Sequence, residues 1–178
     1  DRNPEMIGFA KENFAKFDQR KQITLLEGDA VDVLSTLTET YDFVFMDSAK
    51  SKYIIFLPEI LKHLEVGGVV VLDDIFQGGD VAKDIMEVRR GQRTIYRGLQ
   101  RLFDATLDNP GLTATLVPLG DGILMLRKNQ AEVELPDIDW FQIFLRQFGK
   151  IDKVNLYLVY KRSKHEEKTN GRSHHIVV

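Results

Sequence analysis

The chain has 178 residues, of which 43% are hydrophobic, and this length and composition suit one domain with a substantial core. They exclude intrinsically disordered and collagen-like proteins. No apolar run approaches the roughly 18 to 20 residues that span a membrane. The sequence contains no cysteine, which excludes a disulfide framework, a thiolate zinc site and a cysteine nucleophile. We therefore expect a soluble, cytoplasmic protein.

The formal net charge of -3 is unevenly distributed along the chain. Residues 161–178 contain five Lys and Arg but only two acidic residues, so this tail is basic while the rest of the chain is acidic. Its polar composition predicts a disordered, solvated end, and a tail that binds nucleic acid or a metal is the alternative. We assign it no function.

Helix and strand patterns alternate over the first 128 residues. Helices are predicted at about 4–18, near 31–37, at 54–64 with an interruption near Pro58, and at 81–108. Strands are predicted at 23–26, 41–46, 69–72, 112–117 and 123–127, and the last two flank a Gly-Asp-Gly turn typical of a β-hairpin. This order predicts an α/β domain whose sheet is mostly parallel and ends in an antiparallel C-terminal hairpin.

Carboxylates follow three of the predicted strands, at the sheet edge where such folds bind ligands. They are Asp29, Asp47 and the pair Asp73-Asp74. Each alone also suits an ordinary turn or a helix N-cap. If strands 41–46 and 69–72 are neighbours at about 4.8 Å, however, Asp47, Asp73 and Asp74 are placed to share one hard divalent cation.

Lys50 lies three residues beyond Asp47, within reach of the same site. A nearby cation would lower the pKa of its ammonium group, which makes Lys50 a candidate proton acceptor or orienting group. A solvated loop lysine is the alternative at this spacing.

Three segments together resemble a known enzyme family: residues 41–53 (YDFVFMDSAKSKY), 64–74 (LEVGGVVVLDD) and 119–123 (LGDGI). They are similar to the cation-dependent O-methyltransferases, the catechol and caffeoyl-CoA methyltransferase-like enzymes that use S-adenosylmethionine. The resemblance covers residues 1–128 in consecutive order and implies a Rossmann-like methyltransferase fold and a homodimer. Among the branches of the family, the sequence most resembles bacterial enzymes that methylate 5-hydroxyuridine at the wobble position of tRNA.

The resemblance also implies roles for individual residues. It makes Asp47, Asp73 and Asp74 ligands of Mg²⁺ or Mn²⁺, Lys50 the catalytic lysine, and Asp47 a participant in catalysis and cofactor binding. Asp1 falls where the family binds the ribose of S-adenosylmethionine, and Asp29 and Ala30 fall where it holds the adenine. Many relatives carry Asn at the position of Asp74, so the additional charge should tighten cation binding.

In the family, a first strand and a glycine-rich turn that holds the methionine part of the cofactor would precede Asp1. We therefore expect an N-terminally truncated chain with an empty sheet position beside strand 41–46. The predicted organisation is a partial methyltransferase domain (1–128), an atypical C-terminal extension (129–160) and the basic tail (161–178). The sequence leaves open whether Val154 to Tyr160 fills the empty position or packs elsewhere.

The chemistry of methyl transfer limits which molecules can be the methyl acceptor. A neutral phenol or enol with a pKa near 10 is a poor nucleophile at pH 7 until a bound cation makes its anion accessible. A cation with open coordination positions selects substrates with two adjacent oxygens. Catechols meet this requirement, and so do O4 and O5 of 5-hydroxyuridine.

Arginines at four-residue spacing predict a basic stripe on the helix 81–108, formed by Arg89, Arg93, Arg97 and Arg101 with Arg90 beside them. Phosphates are natural partners for such a stripe, and a solvated face paired with Glu87 and Asp104 is the alternative. The preferred function is therefore methylation of 5-hydroxyuridine in tRNA. A small-molecule catechol-type O-methyltransferase and an inactive fragment of such an enzyme are the alternatives.

Overall fold

A computed structural model of the chain describes residues 1–136, 156–162 and 174–177. The helices are α1 (Pro4–Phe17), α2 (Ala30–Thr36), α3 (Tyr53–His63) and α4 (Arg93–Thr106). The strands are β1 (Ile23–Thr24), β2 (Tyr41–Met46), β3 (Leu64–Leu72), β4 (Leu112–Val117), β5 (Ile123–Lys128), β6 (Leu156–Arg162) and β7 (His174–Val177). The predicted α/β class with an antiparallel hairpin, β4–β5, is confirmed.

Local signals place the first two helices where the sequence predicts them. The side chain of Asn3 accepts hydrogen bonds from the amides of Glu5 (2.9 Å) and Met6 (3.4 Å), and Pro4 occupies the first helical position of α1. The Asp29 carboxylate caps α2 in the same way by accepting from the Val31 amide at 3.0 Å. The capping alternative for Asp29 is therefore part of its role.

The predicted interruption near Pro58 is wrong, because α3 continues through this residue. Proline in a helix interior removes one backbone hydrogen bond and crowds the preceding turn. Burial outweighs this cost in α3, whose side chains form a large part of the core: Tyr53, Ile54, Phe56, Leu57, Ile60 and Leu61. Strand β3 also begins earlier than the predicted strand 69–72, at Leu64, and includes Gly67 and Gly68.

The single helix predicted over 81–108 is wrong as well. Only α4 is regular, and 3-10 turns at Gln77–Ala82 and Arg90–Gln92 precede it. Carbonyl groups of residues 81–88 are bonded by side chains of α4 instead of by a helical backbone: Arg93 to Val88 and Met86, Tyr96 to Lys83, and Gln100 to Val81. These side-chain bonds stabilise an irregular backbone here, although the local sequence pattern favours a helix.

The strand order of the sheet is β1-β7-β6-β2-β3-β5-β4. The central pair β2 and β3 is parallel, with Met46 opposite Leu72, whereas β5 runs antiparallel to β3. Alternate residues of these strands are buried against α3 and α4, including Val44, Met46, Val70, Leu72, Leu124 and Leu126. Because β2 and β3 end in register, the residues that follow them emerge at the same edge.

Two C-terminal strands lie between β1 and β2. Strand β6 pairs antiparallel with β2, placing Leu156 opposite Met46, and β7 pairs antiparallel with β6 and parallel with β1. They take the sheet position beside β2 that the sequence analysis left empty. The disorder expected for 161–178 therefore does not extend to Lys161, Arg162 and His174–Val177, which lie in strands. The rest of the tail and residues 137–155 lie outside the described residues.

The helices α1 to α4 are short compared with the thickness of a membrane. None of those in the described part of the chain is long and apolar enough to cross a bilayer.

Candidate functional site

The ends of β2 and β3 bring the predicted carboxylates to one edge of the sheet. The Asp73 amide donates a hydrogen bond to the carbonyl oxygen of Met46 at 3.1 Å, so Asp47 and Asp73 leave adjacent strands at the same level. Asp74 follows with a φ of 55°, in the left-handed region that a non-glycine residue adopts at some cost. The chain therefore turns sharply at Asp74, two residues beyond the end of β3.

The negative charges of Asp73 and Asp74 act on the Asp47 carboxylate. The pKa of Asp47 is raised, first by partial burial and then by the negative charges of Asp73 and Asp74, while Lys50 opposes the shift. Negatively charged carboxylates held close together are the oxygen donors that a hard divalent cation neutralises. The donor types thus fit Mg²⁺ or Mn²⁺.

The carboxylates do not form a closed ligand set as they stand. Asp73 Oδ1 accepts the Asp74 amide at 2.8 Å, and Asp74 Oδ2 lies 3.2 Å from Lys50 Nζ. Within the ranges that the structure describes, no three acidic or histidine side chains are gathered closely enough to hold a metal ion. The assignment of Asp47, Asp73 and Asp74 as ligands stays a prediction.

The side chain of Lys50 lies in the site, close to two carboxylates. Its Nζ lies 3.2 Å from Asp74 Oδ2 and 3.7 Å from Asp121 Oδ2, and its side chain is 22% exposed. The solvated-loop alternative for Lys50 is therefore wrong. Asp121 comes from the turn of the β4–β5 hairpin, and sequence spacing could not have linked it to Lys50, which lies far away along the chain.

Tyr53 is a second residue whose role the sequence analysis missed. Its hydroxyl is buried between the ends of β2 and β3, where it accepts from the Ser48 amide at 3.4 Å. It lies 3.3 Å from the Met46 carbonyl oxygen and 3.1 Å from that of Asp73, and its single proton bonds one of them at a time. Burial is the main cause of its raised pKa, so Tyr53 stays a neutral tie between the two strand ends. A tyrosine on the apolar face of α3 was the only signal.

The residues predicted to bind the cofactor also lie near one another. The terminal amine of Asp1 donates to the Leu26 carbonyl at 2.9 Å, and the Gly28 amide donates to the Asp1 carbonyl at 2.9 Å. Arg2 connects this N-terminal segment to Asp29, with 3.2 Å between Nη1 and Oδ2. Asp1 is therefore placed beside the loop that leads to Asp29, and Ala30 is buried at 8% exposure.

Lys52 is a charged neighbour of this region that the sequence analysis did not consider. Burial lowers the pKa of its ammonium group, and the nearby Asp29 carboxylate opposes this shift. Lys52 thus brings a positive charge toward the proposed adenine-binding residues.

The arginines do not form the predicted single stripe. Arg89 and Arg90 precede α4, whereas Arg93, Arg97 and Arg101 lie on it. Arg93 is occupied: Nε donates to the Val88 carbonyl at 3.0 Å and Nη2 to that of Met86 at 3.1 Å. The other four are exposed, so they and not Arg93 are the candidates for phosphate contacts.

Known proteins are similar to this chain over residues 1–129. The sequence profile of a family described as O-methyltransferase matches residues 1–129. Caffeoyl-CoA O-methyltransferase 5 of Nicotiana tabacum is 32% identical over 114 residues, which cover 60% of this chain and 48% of that protein. Tapetum-specific methyltransferase 1 of Arabidopsis thaliana is 28% identical over 111 residues, with the same coverage of 60% and 48%. The chain thus spans about half the length of the curated relatives it matches.

Solved structures share the fold. A Staphylococcus aureus protein assigned to the caffeoyl-CoA O-methyltransferases superposes with a TM-score of 0.65 at 29% identity, over 72% of this chain and 62% of that one. The O-methyltransferase TomG of Streptomyces achromogenes, solved with S-adenosylmethionine, has a TM-score of 0.63 at 22% identity, over 72% and 60%. At that lower identity the second likeness establishes the fold alone, which is the predicted methyltransferase fold.

Proposed function

The chain belongs to the O-methyltransferase family, and from this we propose that it serves methyl transfer from S-adenosylmethionine to one of two adjacent oxygens, assisted by Mg²⁺ or Mn²⁺. The observation that carries the proposal is the paired ends of β2 and β3, where Asp47 and Asp73 emerge at one level and Lys50 reaches Asp74. Asp1, Asp29 and Ala30, the residues proposed to bind the cofactor, lie close to one another.

Each group of the site has a chemical task in this proposal. Asp47, Asp73 and Asp74 would hold the divalent cation, which would supply the Lewis acidity that makes the acceptor anion accessible near neutral pH. Lys50 Nζ orients the acceptor oxygen or takes its proton. Tyr53 holds the two strand ends at constant separation through its buried hydroxyl. Such fixed geometry favours in-line attack on the methyl group.

Two acceptors suit this arrangement. The first is 5-hydroxyuridine in tRNA, which the exposed Arg89, Arg90, Arg97 and Arg101 support by offering charges to phosphates. The second is a small catechol-type molecule. The similarity to caffeoyl-CoA O-methyltransferases and the engagement of Arg93 within its own protein favour this second candidate.

Cation binding is the direct test of the carboxylate assignment. We expect Asp47→Ala and Asp73→Ala to weaken Mn²⁺ binding by about tenfold or more, because affinity for a hard cation depends on the number of charged oxygen ligands. Titration calorimetry measures the affinity. Asp73→Asn is a second variant that retains an oxygen acceptor for the Asp74 amide, so its loss of affinity reports charge rather than folding.

The matched control is Asp104→Ala, which removes an exposed carboxylate from α4. It should leave Mn²⁺ affinity within about twofold, since an exposed distant charge is screened. Unchanged affinity in both site variants, or no binding by the unaltered protein, would overturn the cation assignment.

The tRNA candidate is tested on the exposed arginines of α4. We expect Arg97→Glu with Arg101→Glu to weaken binding of tRNA carrying 5-hydroxyuridine and to reduce the salt dependence, with a loss of roughly one unit of log-log slope per phosphate contact. Filter binding at several salt concentrations measures both quantities. Methylation of a free catechol by the same variant should stay unchanged.

Arg93→Gln is the comparison variant, because it breaks the bonds to Met86 and Val88 and should impair both substrates together. An equal loss on tRNA and catechol for the Arg97 and Arg101 variant would show that these side chains serve folding. If the unaltered protein has no measurable affinity for tRNA but methylates catechols, the small-molecule candidate is correct.

A further inference from the structure

The turn between β4 and β5 is bonded to the segment that continues from Asp74. The Ile75 amide donates to the Gly122 carbonyl at 3.0 Å, and the Phe76 amide donates to the Asp121 carbonyl at 2.8 Å. The Gly78 amide then donates to the Asp121 side chain, at 2.7 Å from Oδ1. Because these three bonds begin one residue beyond Asp74, they hold the backbone from which its carboxylate projects.

The packing at this contact is close enough to require glycine. Gly122 has a φ of +83°, and a Cβ atom there would overlap the ring of Phe76. A larger residue would therefore separate the turn from the segment 75–78. The contact is thus part of the fold rather than a chance approach of two loops.

The second oxygen of the same carboxylate faces the site. Asp121 Oδ2 lies 3.7 Å from Lys50 Nζ, which in turn is 3.2 Å from Asp74 Oδ2. The ammonium group is thus shared between two carboxylates, one of which is a candidate metal ligand. If Lys50 were paired with Asp74 alone, it would compete fully with a cation for that carboxylate.

We propose that Asp121 is a positioning residue of the site, whose carboxylate shares the Lys50 ammonium with Asp74 through one oxygen and anchors the segment after Asp74 with the other. Asp121 touches neither substrate nor cofactor in this role and acts through Lys50 and the Gly78 amide. The consequence for cation binding rests on the proposed function, whereas the two contacts themselves do not.

Two substitutions separate the two contacts. Asp121→Asn retains an oxygen acceptor for the Gly78 amide but removes the charge that attracts Lys50, and Asp121→Ala removes both. Mass spectrometry should confirm that the introduced amide, which precedes Gly122, has not hydrolysed. Asp80→Asn is the control, because Asp80 pairs with Lys83 at 2.6 Å in the same segment without contacting the site.

The first measurement needs no cation. We expect hydrogen exchange at the Gly78 amide to quicken about tenfold or more in Asp121→Ala but little in Asp121→Asn. The side-chain ammonium signal of Lys50 in ¹H–¹⁵N spectra should shift in both variants, because the ammonium then has Asp74 as its carboxylate partner without Asp121. Unchanged Gly78 exchange in Asp121→Ala, or an unchanged Lys50 signal in Asp121→Asn, overturns the proposal.

The second measurement is Mn²⁺ affinity with and without Lys50. Asp121→Asn should weaken binding about threefold to tenfold in the unaltered background and clearly less after Lys50→Met, because no ammonium then competes for Asp74. An equal effect in both backgrounds would mean that Asp121 acts directly on the cation and not through Lys50. Absence of Mn²⁺ binding by the unaltered protein would refute the proposed cation, while the exchange data would still decide the role of Asp121.

Discussion

Replacing Lys128 by methionine is expected to lower the free energy of unfolding by about 3 to 5 kcal/mol, because it removes two buried hydrogen bonds from a charged donor, at roughly 1.5 to 3 kcal/mol each. Lys128 is only 4% exposed, and its Nζ donates to the carbonyl oxygens of Leu61 at 2.6 Å and Leu64 at 2.8 Å. Leu61 lies in the last turn of α3, where backbone acceptors lack helical partners, and Leu64 follows the helix as the first residue of β3. Methionine fills a similar volume but cannot donate a hydrogen bond to either carbonyl.

Denaturant unfolding followed by circular dichroism measures this loss, and Lys62→Met is the matched control. The Lys62 side chain is 69% exposed and pairs with Glu59, so its replacement should change stability by less than about 1 kcal/mol. A loss below about 1 kcal/mol for Lys128→Met would show that water or a relaxed helix end replaces the buried bonds.

The pH dependence of stability, measured for the unaltered protein and for Lys128→Met, gives a second test of the role of Lys128. Burial lowers the pKa of Lys128 in the folded state below the usual value of 10.5. The unfolded chain therefore binds more protons between these two pKa values, and the contribution of Lys128 to stability rises with pH in that window. The stability difference between the unaltered protein and Lys128→Met should widen as the pH approaches 10.5. A constant difference would contradict the shift.

Replacing Gly98 by alanine is expected to destabilise the protein by about 1 to 3 kcal/mol, the usual cost of overpacking, although alanine is the better helix former. A Cβ atom at Gly98 would lie 2.8 Å from Ser51 Cα and 3.1 Å from the Ser51 carbonyl oxygen. Both are backbone atoms of the 3-10 turn Lys50–Lys52, so relief requires moving α4 away from this turn. Thermal unfolding measures the effect.

The control is the same substitution at Gly8, in the exposed part of α1, where a Cβ atom meets nothing within 4 Å. There, alanine should stabilise by up to about 1 kcal/mol through helix propensity alone. Opposite signs for the two variants are the expected result. A stabilising effect at Gly98 would mean that the turn carrying Lys50 yields without cost.

The candidate site was predictable where local patterns sufficed. The apolar run 41–46 ends at Asp47 and the run 69–72 ends at Asp73, and parallel pairing of such strands brings their ends together. The partners of these residues were not predictable. Lys50 meets Asp121, and Tyr53 bridges the strand ends, through contacts between segments that share no sequence periodicity.

The arginine pattern shows where periodicity misleads. Residues at four-residue spacing share a helix face only if one helix contains all of them, and here α4 begins at Arg93. Glycines with positive φ at 78 and 79 break the helical geometry just before the predicted helix 81–108 begins. The side chains of Arg93, Tyr96 and Gln100 then capture the carbonyl groups of the intervening residues.

Alternation of apolar and polar residues, caps and turn residues is local, so the amino-acid order alone determined the α/β class, α1, β2, the β4–β5 hairpin and the carboxylates at the strand ends. Only the tertiary structure decided the passage of α3 through Pro58, the pairing of β6 beside β2, and the sharing of Lys50 by two carboxylates. Each of these depends on burial or on a hydrogen bond between distant segments. Such energies exceed local conformational preferences and leave no trace in the spacing of residues along the chain.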